Sequence, residues 1–159
     1  MTGARTPATT VLERAGVAFL LHPYATSGDP SGWGLAAATA LGVDPARVLK
    51  TLVAAVDDAG PLLAVVPVAG SLDLRALAAA RGGKRAAMLP PADAGRVTGY
   101  VTGGIAPLGC RRRLAVLLDR SALGFDTVLC SAGRRGLSLE LAPADLVAVA
   151  GATVTDLRR

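Results

Sequence analysis

Lys50 stands one residue inside an apolar run, Leu49-Lys-Thr-Leu-Val-Ala-Ala-Val56. A charge in such surroundings is costly unless it reaches solvent or a partner. Two readings fit: a lysine that snorkels at a strand start, or a cation at a pocket mouth that meets a phosphate or a developing oxyanion. Of the 17 basic residues only Lys50 and Lys84 are lysines, and a lysine's compact charge and tunable pKa set it apart from an arginine fork. The second stretch with chemical potential is Thr98-Gly-Tyr-Val-Thr-Gly-Gly-Ile-Ala-Pro-Leu-Gly109, rich in glycine. Glycine takes backbone angles closed to other residues and lets a ligand or another backbone come close. Arg111, Arg112 and Arg113 stand at its exit, and Arg134 and Arg135 form another positive turn between Gly133 and Gly136. A glycine-lined concavity beside positive charge suits a carbonyl, carboxylate or phosphate. The alternative is a tight structural turn flanked by solvated arginines, and the loop alone favours that plainer reading.

Other chemistries are scarce. The chain lacks GxxxxGK[ST] and GxSxG, and neither glycine-rich segment has the GxGxxG spacing after a strand. A lone histidine, His22, excludes a His-rich metal centre. Two cysteines without a CxxC spacing give neither a disulfide framework nor a zinc site. No metal and no cofactor are expected. Cys110 precedes three arginines, which favours a thiolate, so a Cys110-dependent hydrolase remains an alternative. Cys130 lies in an apolar strand and reads as a small core residue. The net charge of +5 points mildly to a polyanionic partner, and with aromatics at only 3% any nucleic-acid contact should run through phosphates. No apolar stretch reaches the ~18 residues of a membrane span. The N-terminus lacks a signal-peptide core, so a cytoplasmic location is expected.

These residues need a scaffold. Thr6, Pro7 and Gly16 bound a helix over 7–15. A short strand over 17–21 leads to His22-Pro-Tyr24, and a Gly/Ser/Pro-rich loop over 25–34 carries Trp33, read as core plug or pocket wall. A small-residue helix over 35–41 and a short helical turn over 45–48 follow. Strands over 49–56 and 62–68 are joined by the hairpin Asp57-Asp-Ala-Gly60. Pro67, without an amide donor, predicts an edge or a bulge. Helices over 72–81, with Ser71 as cap, and 91–97 flank a short strand at 85–89. Strands at 114–118, 127–131 and 137–141 come next, with a hinge over 132–136. A helix over 143–150 and a strand over 152–157 close the chain. Interleaved helices and strands with tight hairpins predict one mixed α/β domain over 1–159, its sheet curved and barrel-like with helices around it.

The ordered set Lys50-Thr-Leu, Pro67-Val-Ala-Gly-x-Leu-Asp-Leu74, the loop 98–109 and Gly133-Arg-Arg-Gly-Leu-x-Leu-Glu-Leu141 resembles the YbaK/EbsC family of aminoacyl-tRNA deacylases. The resemblance covers nearly the whole chain and is nearest to the bacterial Cys-tRNA(Pro) deacylases. It implies a fold like the editing domain inserted in bacterial prolyl-tRNA synthetases. The implied function is trans-editing: hydrolysis of the ester between a wrong amino acid and the 3′-terminal adenosine of tRNA. A synthetase pocket for proline cannot strongly reject an amino acid of similar size, so a second hydrolytic site is needed.

By this resemblance Lys50 holds the terminal adenosine phosphate, and Gly103 and Gly104 bring backbone amides to the ester carbonyl. Tyr24 and Trp33 line the substrate site, with Ser131 on the neighbouring strand. Thr98 and Ser138 are further substrate-binding candidates, and the positive turns Arg111, Arg112, Arg113, Arg134 and Arg135 are the candidate tRNA-phosphate contacts. The partner is the 3′ end of a mischarged tRNA, with prolyl-tRNA synthetase a further candidate and no membrane involved. The family uses no protein nucleophile and no metal. In its cysteine-specific branch the substrate thiol attacks its own ester, with the enzyme supplying position and charge. Two departures matter. Ser138 replaces an aspartate, and Trp33 replaces a phenylalanine. Alternatives are a non-catalytic binder of tRNA ends or nucleotides, and a deacylase for another amino acid such as alanine.

Overall fold

The computed structural model describes residues 4–26 and 33–159, with the side chain of Trp33 outside the described set. Among the described residues the chain forms five helices and two sheets. The helices are α1 (Pro7–Ala15), α2 (Trp33–Leu41), α3 (Leu74–Ala80), α4 (Pro91–Thr98) and α5 (Pro143–Ala150). The strands are β1 (Leu20–Pro23), β2 (Leu49–Val56), β3 (Pro61–Pro67), β4 (Ala86–Met88), β5 (Ala115–Asp119), β6 (Val128–Arg134), β7 (Leu137–Leu141) and β8 (Thr153–Thr155).

Local chemistry sets several boundaries as expected. At α1 the Thr6 hydroxyl accepts from the Thr9 amide while the Thr9 side chain accepts from the Thr6 amide, and Gly16 ends the helix at φ 70°. The β2–β3 hairpin turns through Asp57 and Gly60, both at positive φ. Other boundaries move. Asp73, not Ser71, caps α3 by accepting from the amides of Arg75 and Ala76, as carboxylates do at helix starts. The expected hinge over 132–136 shrinks to a two-residue turn at Arg135 and Gly136, because β6 runs on to Arg134 through a register shift between Ser131 and Arg134.

The larger sheet has the order β4-β2-β3-β5-β8, parallel at β3–β5 and β5–β8 and antiparallel elsewhere. The smaller sheet, β1-β7-β6, is antiparallel. Pro67 therefore lies in a central strand rather than at an edge. It is tolerated because β5 pairs β3 only through Leu62–Val65. The lacking amide points to the β5 side beyond that pairing, where no ladder bond is lost. No closed barrel forms among the described residues, since β4 and β8 end the larger sheet and the two sheets meet at a single parallel bridge, Val48 to Leu129.

The main core lies between the sheets. Leu49, Val53, Leu63, Val65 and Leu118 from the larger sheet face Cys130, Leu139 and Leu141 from the smaller one, with Leu12 of α1 and Leu146 of α5 closing the ends. The opposite face of the larger sheet buries Ala54, Val56, Leu62, Ala64 and Val66 under Leu77 and Ala78 of α3. Covered on both faces, β3 reads as an unbroken apolar run rather than an alternation.

The smaller sheet carries a polar brace on the side away from Leu139 and Leu141. The Glu140 carboxylate pairs with His22 Nε2 at 2.7 Å and Arg47 Nη2 at 3.0 Å, and accepts from the Thr127 hydroxyl at 2.5 Å. The Thr127 hydroxyl above all, then His22 and Arg47, hold its pKa below the ordinary glutamate value. A depressed carboxylate pKa stabilises the fold above its unfolded value and loses that contribution as pH falls through the folded value. Glu140→Gln should therefore cost about 1–2 kcal/mol at pH 7 in urea unfolding. The gap to wild type should narrow as the titration is repeated below pH 4.

Candidate functional site

Past the bridge from Val48 to Leu129, strands β2 and β6 part, and the wedge between them is a cavity of about 420 Å³. Val48 and Leu49 to Val53 of β2 form one wall, and Cys130, Ser131 and Ser138 of the smaller sheet form the other with Tyr24. Gly34, Leu35 and Ala37 of α2, Met88, Leu89 and Pro91 near β4 and α4, and Thr102, Gly103 and Ile105 of the glycine loop complete it. This volume lies within the range of small-ligand sites. Helix α2 can approach so closely because Gly34 has no side chain: a Cβ there would meet Val68 Cγ1 at 2.5 Å.

Among the described lining residues Lys50 is the one charged side chain. Burial lowers its pKa from the ordinary lysine value. Around it the polar groups are hydroxyls, those of Tyr24, Thr51, Thr102, Ser131 and Ser138. Burial also raises the Tyr24 pKa, against a weaker opposing pull from its bonds to Gly136 and the Ser138 side chain. Tyr24 is thus a neutral donor or acceptor at physiological pH. Ser138 is 3% exposed and pairs in register with both His22 and Ser131. Ser131 accepts the amide of Gly133 at 3.1 Å, fixing the bulge in β6. A serine at 138 leaves this wall without a carboxylate. The described lining offers one cation, no anion and several neutral hydroxyls.

The structure gathers some of the sequence-selected residues and separates others. Tyr24, Lys50, Gly103, Ser131 and Ser138 share the cavity. Trp33 begins α2 beside Gly34, and its side chain falls outside the described residues. Thr98 does not line the cavity. Its hydroxyl donates to the Ala94 carbonyl and accepts from the Tyr100 amide, ending α4 at 1% exposure. Gly104 is likewise withdrawn, since its amide donates to the Val101 carbonyl at 2.8 Å. Its bare Cα serves another need: a Cβ would stand 2.9 Å from the backbone of Arg134 and Arg135. The glycine loop thus seats on the β6–β7 hairpin, helped by Arg135 Nε donating to the Thr102 carbonyl at 2.8 Å.

None of Arg111, Arg112, Arg113, Arg134 and Arg135 lines the cavity. The amides of Arg111 and Arg112 close the loop onto Thr98 and Val97, and the three side chains at 111–113 are exposed. The thiolate reading of Cys110 is overturned: burial raises its pKa to about 11 despite the three arginines that follow. Cys130 faces the cavity yet sits in the core, its pKa raised to about 12 by burial. Sequence reasoning missed Thr51, Met88, Leu89 and Ile105 as wall residues. Only the pair Lys50-Thr offered any signal, since the others are apolar residues of ordinary kind.

This mixed α/β fold has counterparts among known proteins. Residues 35–149 match the family described as the aminoacyl-tRNA editing domain. The chain belongs to that family and is an editing hydrolase. It is 35% identical over 142 residues to EbsC of Enterococcus faecalis, named as a candidate Cys-tRNA(Pro)/Cys-tRNA(Cys) deacylase, covering 89% of this chain and 86% of that protein. It is 31% identical over 99 residues to the multifunctional Ser/Thr-tRNA deacylase ProXp-y of Escherichia coli K12, covering 62% of this chain and 59% of that one. A solved structure described as a candidate trans-editing enzyme for prolyl-tRNA synthetase superposes with a TM-score of 0.82 at 27% identity, over 99% of both chains. None of the described helices is long and apolar enough to cross a membrane.

Two outcomes follow from this geometry. Gly104→Ala should lower stability by roughly 1–3 kcal/mol in urea unfolding, because the new methyl meets backbone rather than a yielding side chain. At pH 7.5 iodoacetamide should leave both thiols of the folded protein unmodified over minutes, whereas the urea-unfolded chain is labelled at both.

Proposed function

We propose that the chain hydrolyses the aminoacyl ester of mischarged tRNA in trans, with Cys-tRNA(Pro) as its preferred substrate. The observation that carries this reading is the solitary Lys50 cation in a cavity whose other described polar groups are neutral hydroxyls. A polyanionic tRNA end brings one phosphate to such a cation, and the acyl group then enters the uncharged part of the wedge. Lys50 holds the phosphate of the terminal adenosine. Tyr24, Ser131 and Ser138 line the acyl side, and Gly103 lets the ester lie against the loop backbone.

A serine, a buried high-pKa thiol and a lysine without a carboxylate make a poor nucleophile-base pair. Catalysis then rests on orientation and electrostatics. For a cysteinyl ester the substrate supplies the nucleophile. Its thiol sulfur attacks the ester carbonyl and the bond to the ribose oxygen breaks. The thiol proton passes to that oxygen, and water opens the resulting β-thiolactone to free cysteine. The similarity to EbsC supports this substrate. The similarity to ProXp-y, with a hydroxyl-rich lining, supports a second reading in which seryl esters are cleaved by water. Prolyl-tRNA synthetase is the partner this role would place upstream, in the cytoplasm, and the whole chain over 1–159 would act as one editing domain.

Purified protein should release cysteine from Cys-tRNA(Pro) faster than alanine or serine from the matching tRNAs. Equal rates for all three would remove thiol assistance. Lys50→Ala should lower the rate at least a hundredfold, roughly the loss of one electrostatic contact in a transition state. A lysine pKa depressed by folding favours stability above the unfolded value and withdraws it as pH falls through the folded value. At pH 7 the Lys50 charge is therefore a cost to the fold. Lys50→Met should keep or raise the urea midpoint while activity is lost, a split that a structural lysine would not show.

A further inference from the structure

The wall formed by β2 has an unusual property: one of its edges is free where it borders the cavity. Strand β4 covers that edge only at Ala54, Ala55 and Val56, and β6 touches it only at the bridge from Val48 to Leu129. The orientation of the backbone between these points follows from two bonds. The Val48 carbonyl accepts from Val68 on the β3 side, and the Val53 carbonyl accepts from Leu89 on the opposite side. In an antiparallel strand the amide and carbonyl of one residue point the same way, and successive residues alternate. Lys50 and Leu52 therefore turn their backbone groups to β3, while Leu49, Thr51 and Val53 turn theirs to the cavity edge. The bridge stands beside Leu49, and the Leu89 amide occupies the Val53 carbonyl. No described strand lies across Thr51, so its amide and carbonyl face the cavity side by side.

The Thr51 side chain adds a second, independent sign. Its hydroxyl oxygen is the one buried side-chain N or O atom among the described residues without a hydrogen-bond partner. A buried polar group left unpaired is a cost to the fold that a ligand's partner atom would relieve. Thr51 shares its strand face with Leu49 and Val53, which pack between the sheets, so the hydroxyl lies on the inner side of the wedge.

We propose that the aminoacyl group binds as one added strand residue opposite Thr51, which reads its α-amino group, its ester carbonyl and its handedness. This rests on the deacylase reading above. In a hydrogen-bonded antiparallel pair the two residues exchange both bonds. The substrate's α-amino N–H donates to the Thr51 carbonyl, and its ester carbonyl accepts from the Thr51 amide. That amide supplies the donor that Gly104, committed to Val101, cannot supply. Paired residues carry their side chains on the same face of the sheet. An L-acyl group therefore directs its β-substituent to the Thr51 hydroxyl, whereas a D-acyl group directs it away. The site takes small L-α-amino esters whose β-position bears a hydroxyl or thiol.

Deacylation of tRNA(Pro) charged with L-seryl, D-seryl, L-alanyl and 3-hydroxypropionyl groups tests this, each rate being divided by spontaneous hydrolysis of the same ester. The D-seryl and amine-free esters should each be accelerated at least tenfold less than the L-seryl ester. Thr51→Val, which keeps shape and removes the hydroxyl, should lower the ratio of seryl to alanyl acceleration at least threefold without lowering the urea midpoint. A merely structural threonine would lose stability and leave that ratio alone. Equal acceleration of L- and D-seryl esters, or of the amine-free ester, would overturn the pairing while leaving the deacylase reading intact. Acceleration of the L-cysteinyl ester, run beside them, but of none of these four would overturn the pairing too. Absence of acceleration for the L-cysteinyl ester as well would sink the deacylase reading and this one with it.

Discussion

The constraint on which the site depends is the incomplete pairing of β2. One edge of this strand is occupied along nearly its whole length by β3, from Leu49 opposite Pro67 to Ala55 opposite Pro61. The other edge is held at its two ends, by the Val48–Leu129 bridge and by β4, and open between them. A sheet that closed here would have no cavity. Because it parts, a wedge opens at the seam of the two sheets, and core residues such as Leu49, Val53 and Cys130 serve also as cavity wall. Lys50 is pulled partly out of water by the same geometry, which lowers its pKa.

The electrostatics of the wedge are spare. A lysine without a described carboxylate beside it is unfavourable for a folded chain at neutral pH and favourable for an anion that arrives. Burial raises the pKa of both cysteines, which disfavours a protein thiolate at neutral pH. What remains is a shaped, weakly polar cavity with one positive point. That arrangement offers position and charge rather than a nucleophile, in a chain that belongs to the aminoacyl-tRNA editing family.

The glycine loop fills a supporting place in this scheme. Gly103 reaches the cavity at φ 86°, while Gly104 lies against the hairpin backbone and Thr98 and Tyr100 knit the loop to α4 and Leu108. The loop is thus anchored on two sides by close backbone contact, and only Thr102, Gly103 and Ile105 of it line the cavity. The structural-turn reading of this stretch holds at Thr98 and Gly104, while Gly103, one position away from the latter, lines the cavity.

Much of the local structure was legible in the residues. The limits of α1, β7 and α5 depend on a capping threonine, on prolines at helix starts and on glycines able to take positive φ, all effects within a few residues. Lys50 could be singled out because a charge in an apolar run is costly wherever it ends up. The tertiary structure alone decided that β2 and β6 diverge, that Thr51 borders the cavity and that the hydroxyl of Thr98 is spent on its own helix. It also decided that burial raises the Cys110 pKa despite the arginines that follow it. Each of these turns on which distant strand comes alongside, and on how much water is excluded when it does. Neither quantity is carried by neighbours in sequence.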